Sequence, residues 1–173
     1  MQPTFLPWMG YFSLLKQADR FVFLDDFQFV RRSFHSRNNL FIGRDNVKTL
    51  SLPVEHGRSQ QITLDQVRPV YDKKWENKFY RTLEQSYGFS RYLEEVICIL
   101  KSNLSKCSGK QSSLAELNMN LIKAIAALLG IDTQFELSSK YSISGTRSEK
   151  IIGLLKATNA QQYLSAFGSF DYM

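Results

Sequence analysis

A continuous β-prone apolar run at residues 20–24 (RFVFL) stops at two aspartates, Asp25 and Asp26. A run without alternating polar positions suits a strand buried on both faces, as in sheets that helices cover. The preceding residues 10–18 repeat apolar side chains at helical spacing, and a loop interrupted by two prolines comes before them. A loop, a helix and a buried strand in this order predict an α/β domain.

The rest of the chain continues this mixture of strands and helices. Asp72 is placed to cap a helix, and two pairs, Ser113 with Glu116 and Thr146 with Glu149, match the capping box. The apolar patterns predict further strands at residues 38–42, 47–54, 62–67, 134–137 and 162–165, and further helices at residues 72–87, 92–100, 113–130 and 146–158.

We therefore expect one α/β domain over residues 1–173, with a Rossmann-like, mostly parallel sheet, an inserted hairpin and central helices. Its layout is similar to that of nucleotidylyltransferase-like folds. The chain starts one residue before the proline loop and stops just after a predicted strand, so we expect the domain to be truncated at both ends.

Composition excludes several classes of protein. Of 173 residues, 43% are hydrophobic and 22% are charged, and no apolar run approaches the roughly 20 residues that span a bilayer. The chain has two cysteines and two histidines, and neither a zinc site nor a disulfide scaffold is expected from them. The motifs of P-loop NTPases, dinucleotide-binding dehydrogenases and typical serine hydrolases are missing. No signal-peptide pattern opens the chain, which predicts a cytoplasmic protein.

The net charge of +6 is moderate and interleaved with acids. Residues 73–81 carry four cations, but Glu76 and Glu84 lie among them, which favours a solvated helix face over a nucleic-acid surface. The charge fits an anionic small-molecule substrate equally well, and the partner expected for this chain is such a substrate, for example a nucleotide sugar. Neither a nucleic acid nor a membrane span is expected, and the oligomeric state stays open.

The end of the predicted strand at residues 20–24 is the expected position of a site, because ligands of open α/β sheets bind beyond the carboxyl ends of strands. Adjacent residues of an extended chain point to opposite sides, so only one of Asp25 and Asp26 should face a given pocket. That carboxylate could orient a hydroxyl or amine, or hold magnesium; a strand-ending turn is the alternative. Ser165, at the end of another predicted strand, could form the pocket floor.

Cationic side chains near these aspartates favour an anionic ligand. Arg31, Arg32 and Arg37 could clamp a phosphate or carboxylate, or could simply be solvated. Arg147 lies at a predicted helix N-terminus, a second place where anions bind. His35 stands in this polar company and is the better catalytic candidate of the two histidines.

Two segments, residues 2–12 (QPTFLPWMGYF) and residues 23–29 (FLDDFQF), resemble the opening of the WbqC-like protein family. Weaker similarity continues through the Arg37-Asn38 pair, residues 147–150 (RSEK) and residues 163–165 (YLS). The resemblance implies a bacterial protein of O-antigen or other surface-polysaccharide clusters, with suggested aminoacyl transfer to sugars. Many members have a histidine directly before the Gln-Pro pair, where this chain has Met1.

The residues and the resemblance together predict a transferase that moves an aminoacyl, glycine-like, or acyl group to a nucleotide- or lipid-linked sugar. Two alternatives are a magnesium-dependent nucleotidyl transferase and a non-enzymatic basic binding or assembly module. No cofactor is identified. Trp8 and Tyr11 would stack on a sugar or base. The predicted catalytic residues are Asp25, Asp26 and His35, and the predicted substrate-binding residues are Gln2, Pro3, Trp8, Tyr11, Gln28, Arg31, Arg32, Arg37, Asn38, Arg147 and Ser165.

Overall fold

The computed structural model describes residues 1–42, 46–55, 61–107, 112–145 and 147–166. The helices are α1 (Met9–Gln17), α2 (Lys73–Tyr87), α3 (Leu93–Cys107), α4 (Leu114–Leu128) and α5 (Arg147–Ala157), with a 3₁₀ turn at Ser138–Tyr141. The strands are β1 (Arg20–Phe23), β2 (Arg37–Ile42), β3 (Asn46–Ser51), β4 (Val54–Glu55), β5 (Arg68–Pro69) and β6 (Gln134–Leu137). The predicted mixture of helices and strands is confirmed.

The described strands pair two by two. β1 and β6 are parallel, from Arg20 opposite Gln134 to Phe23 opposite Leu137. β2 with β3 and β4 with β5 are antiparallel, and β2 with β3 is the expected hairpin, whose turn at residues 43–45 lies outside the described residues. Among the described residues, one of the three strand pairs is parallel and two are antiparallel, so the sheets are not mostly parallel.

The first residue also lies along β1. The backbone N–H of Leu24 donates to the Met1 carbonyl at 2.9 Å, and the Met1 amino group donates to the Val22 carbonyl at 2.8 Å. Met1 thus runs beside β1 in the same direction as β6. Three segments consequently leave this region at one edge, which is the edge where Asp25 follows β1.

The core surrounds β1. The Phe23 ring stacks on the Phe135 ring of β6 with centroids 5.4 Å apart, and the Phe21 ring meets the Tyr11 ring of α1 at 5.5 Å. α4 contributes a face of fully buried residues, including Leu117. Burial of these large side chains accounts for the strong apolar signal of residues 20–24 and holds the end of β1 in place.

Two helix starts follow the predicted capping chemistry. The Asp72 carboxylate accepts from the Trp75 N–H at 2.8 Å, and the Ser113 hydroxyl accepts from the Glu116 N–H at 3.0 Å. These bonds satisfy backbone donors that have no partner within the helix. Thr146, the third predicted cap, lies outside the described residues.

Two predicted strands are wrong. Thr63 forms only an isolated bridge to Gln28 and residues 64–66 form a turn, while the carbonyls of Leu64 and Val67 accept from the N–H groups of Ala115 and Leu114 at the start of α4. These carbonyls complete a helix end instead of a sheet ladder. Residues 162–165 are irregular, and Tyr163, at 47% exposure, packs against no sheet.

Candidate functional site

Asp25 is buried directly beyond β1 and is satisfied by the residues directly beyond β6. One oxygen, Oδ1, accepts from the Ser139 N–H and the Ser138 hydroxyl, both at 3.1 Å. The other, Oδ2, accepts from the Ser139 hydroxyl at 2.7 Å. Three donors on a carboxylate that is 6% exposed make Asp25 the anchor of the 3₁₀ turn.

Asp26 is half-buried and faces α5. Its Oδ2 lies 3.3 Å from Nζ of Lys150, and its Oδ1 accepts from the Ser138 hydroxyl. The Lys150 ammonium also lies 5.2 Å from the centre of the Phe27 ring, a cation–π contact. Because Ser138 has one hydroxyl proton, it donates to one carboxylate at a time. We call Asp25, Asp26, Ser138, Ser139 and Lys150 the aspartate cluster.

His35 is buried and holds Gln2. Its Nδ1 accepts from the Val30 N–H at 3.2 Å, which leaves the ring proton on Nε2, 3.2 Å from Oε1 of Gln2. Burial lowers the pKa of His35 to about 4, so the ring is neutral at neutral pH. A neutral ring whose two nitrogens are both engaged positions the Gln2 side chain and offers no free base.

Asn118 of α4 ties this histidine to the proline loop. Its side-chain amide is fully buried and donates to the carbonyls of His35 at 2.8 Å and Pro3 at 3.1 Å. Its Oδ1 accepts no hydrogen bond from the residues that the structure describes. We call Gln2, His35 and Asn118 the amide–histidine cluster.

Several predicted residues lie around these clusters. Asn38 of β2 donates to the carbonyls of Phe5 and Leu6 and so fixes the proline loop. Trp8 is 66% exposed at the start of α1. Tyr11 is a core residue whose hydroxyl donates to the Gln2 carbonyl at 3.3 Å, and burial raises its pKa above the ordinary value.

Three of the predicted cationic residues, Arg31, Arg32 and Arg37, form no ion pair with the aspartates within the described part of the chain. Arg31 and Arg32 are exposed in the turns after Phe29, and Arg37 is half-buried in β2. Arg147 begins α5, one turn before Lys150. Gln28 is exposed and forms an isolated antiparallel bridge with Thr63. Ser165 is half-buried in the segment after α5.

Sequence reasoning missed four side chains of these clusters, namely Ser138, Ser139, Lys150 and Asn118. The two serines directly follow the strand at residues 134–137, so the rule that singled out Asp25 also applies to them. Lys150 belonged to a quoted motif but received no role. Asn118 also belongs to a segment, Leu117-Asn118, that resembles the family, but that weak similarity predicts no role for it.

Two further properties concern metal ions and membranes. Among residues 1–42, 46–55, 61–107, 112–145 and 147–166, no group of three or more His, Cys, Asp or Glu side chains is arranged to share a metal ion. Within the same ranges, the helices are all too short or too polar to cross a bilayer. The aspartate cluster itself contains two carboxylates, two hydroxyls and an ammonium.

Comparisons with known proteins identify a similar protein and a family. The Mycobacterium tuberculosis protein named "Uncharacterized protein Rv1507c" is 26% identical over 174 residues, an alignment that covers all of this chain and 73% of the relative. No solved structure matches the chain significantly. The model of the WbqC-like protein family matches residues 2–173. The chain therefore belongs to the WbqC-like protein family.

Proposed function

We propose that the protein is a transferase of surface-polysaccharide synthesis, which moves an aminoacyl or acyl group to a sugar carried on a nucleotide or lipid diphosphate in the cytoplasm. The observation that supports this is the aspartate cluster at the shared edge of β1 and β6. There a half-buried carboxylate, two hydroxyls and an ammonium lie together. Membership of the WbqC-like family agrees with the polysaccharide context that the resemblance implies.

The two aspartates would act differently. Asp25 accepts from Ser138 and Ser139 and would hold their turn in place. Asp26 would accept the proton of the sugar hydroxyl or amine as that group attacks the acyl carbonyl. The Lys150 ammonium would stabilise the negative charge that develops on the carbonyl oxygen. The acyl–donor bond then breaks, and the leaving group departs with its electron pair.

Substrate binding would use the cationic and aromatic residues that the sequence singles out. Arg147, with Arg31 or Arg32, would bind the diphosphate, and the exposed Trp8 indole would stack on the sugar or base. The buried Tyr11 would support the Gln2 segment from the core. A diphosphate seated at an α5 N-terminus would also agree with the Rossmann-like and nucleotidylyltransferase-like layout predicted from the sequence.

The main experiment is a thermal-shift panel of nucleotide sugars, ATP with and without magnesium, and short duplex DNA. A ligand at about 100 times its Kd should stabilise the fold by about 2.7 kcal/mol. We expect a nucleotide sugar to raise the melting temperature. Asp26→Asn and Lys150→Gln should reduce that rise, whereas Lys156→Gln, an exposed cation on the same helix, should leave it unchanged.

Each alternative function has its own signature in this panel. Stabilisation by ATP that requires magnesium would favour nucleotidyl transfer, because phosphoryl chemistry generally needs the metal. Salt-sensitive stabilisation by DNA alone would favour the basic binding module. A nucleotide-sugar shift that is equal in wild type, Asp26→Asn and Lys150→Gln would refute the placement of substrate at the aspartate cluster.

A further inference from the structure

A groove of about 720 Å³ lies between α2 and α3. Tyr80, Arg81 and Glu84 of α2 and Lys101 of α3 line it. Small-molecule sites typically enclose about 300–1,000 Å³, so this groove is of suitable size. It shares no residue with the aspartate cluster or the amide–histidine cluster and is therefore separate from the proposed transferase site.

Two cations of the groove have no anionic partner among the described residues. Lys73, at one end, is neutralised by Glu76, whose carboxylate lies 2.6 Å from Nζ. Arg81 and Lys101 form no ion pair with the residues that the structure describes. The Lys101 Nζ lies 5.3 Å from the centre of the Tyr80 ring, so a cation–π contact holds the ammonium at the groove wall.

Tyr80 and Glu84 add a hydrogen-bond donor and a hydrogen-bond acceptor to the groove. Burial and the neighbouring Glu76 raise the pKa of Tyr80 to about 12, so its phenol keeps its proton at neutral pH and can donate. A guanidinium, an ammonium and a phenol together match the oxygens of a phosphate. Glu84 lacks an ion-pair partner in the described part of the chain and can accept from a hydroxyl.

We propose that the α2–α3 groove binds a phosphate-bearing small molecule, with Arg81 and Lys101 on the phosphate oxygens and Glu84 on a ligand hydroxyl. The sequence pattern of residues 73–81 predicts only a solvated basic face. The structure adds Lys101 from a second helix, and this residue converts one face of a helix into a two-walled groove.

Calorimetric titration of the whole chain with inorganic pyrophosphate, and separately with a hexose 1-phosphate, tests this proposal. We expect saturable binding that the double variant Arg81→Gln/Lys101→Gln weakens about tenfold or more, since charge-assisted hydrogen bonds are lost. The matched control is Lys74→Gln/Lys78→Gln, which removes the same charge from exposed positions of α2 outside the groove. This control should change the Kd less than about twofold.

The Glu84→Gln variant tests the hydroxyl contact separately from the phosphate contact. It should weaken binding of the hexose phosphate, which has hydroxyls, and leave pyrophosphate binding unchanged or stronger. Equal weakening by both double variants would overturn the proposal, because it would indicate non-specific attraction to a basic surface. Absence of saturable binding by a folded chain would also overturn it, as would displacement of pyrophosphate by short duplex DNA at lower concentration.

Discussion

The aspartate cluster and the amide–histidine cluster both join distant parts of the chain, over separations from 33 residues, between Gln2 and His35, to 124 residues, between Asp26 and Lys150. They are built from opposite chemistry. The aspartate cluster is charged, and its side chains bond mainly to one another. The amide–histidine cluster is neutral, and Asn118 donates to backbone carbonyls.

This difference separates two kinds of polar residue. Neutral groups that satisfy buried backbone carbonyls stabilise one path of the chain, because a carbonyl without a donor is costly in the interior. A half-buried carboxylate beside an ammonium keeps lone pairs that a ligand can reach. Changes in the amide–histidine cluster should therefore alter stability, and changes at Asp26 should alter ligand binding.

The largest effect should come from Asn118→Ala. This change removes both donors from the carbonyls of Pro3 and His35, and we expect the free energy of unfolding to fall by about 3 kcal/mol. Urea denaturation followed by circular dichroism measures it. Asn120→Ala, at a half-buried position of α4, is the control and should cost less than about 1 kcal/mol. Equal losses would remove the distinction between the clusters.

The next effect is the pH dependence that His35 confers. Its pKa of about 4 lies below the ordinary value of 6.5, so the fold favours the neutral ring. The stabilisation is fully present above pH 6.5 and is lost as the pH falls toward 4, because the unfolded chain takes up the proton first. When the pH falls from about 7.5 to about 4.5, protonation of His35 should lower the free energy of unfolding of the wild type by about 2–3 kcal/mol.

His35→Gln isolates that contribution, because other groups titrate in both proteins. The unfolding free energies of wild type and variant should converge as the pH falls. Parallel curves over this range would show that His35 is not held neutral by the fold, and the amide–histidine cluster would lose its defining property.

Within the aspartate cluster, Asp25→Asn should mainly affect stability. The amide keeps one acceptor oxygen and presents an NH₂ group to a site that supplies three donors, so we expect a loss of about 2 kcal/mol. Ser139→Ala removes one of these donors and should cost about 1 kcal/mol. Thermal denaturation of both variants provides the measurement. An Asp25→Asn variant that is as stable as wild type would contradict the anchoring role.

Asp26→Asn should have the smallest effect on stability, less than about 1 kcal/mol, because partly exposed ion pairs contribute little. Its effect on the nucleotide-sugar shift should be large if Asp26 faces the substrate. Measuring both quantities on one preparation contrasts it with Asp25→Asn. An Asp26→Asn variant that loses stability but keeps the ligand-induced rise in melting temperature would show that Asp26 stabilises the fold and does not bind the ligand.

Most local elements could be predicted from the sequence. The strand at residues 20–24, the Asp72 and Ser113 caps and the strand at residues 134–137 all depend on neighbouring residues. The strand predicted at residues 62–67 was wrong because its carbonyls serve the start of α4, a segment about 50 residues away along the chain. An alternating apolar and polar pattern does not predict which N–H group a backbone carbonyl will accept from.

The candidate site divides in the same way. Its position beyond β1 followed from sequence, since strand ends are recognised locally and the motif around Asp25 and Asp26 resembles one family. The difference between the two aspartates came from tertiary contacts, as did the neutral state of His35. Ser138 and Ser139 lie more than 110 residues from Asp25, and burial rather than sequence context sets the histidine pKa. Local patterns encode elements and their ends, whereas hydrogen-bond partners and burial arise only when distant segments pack.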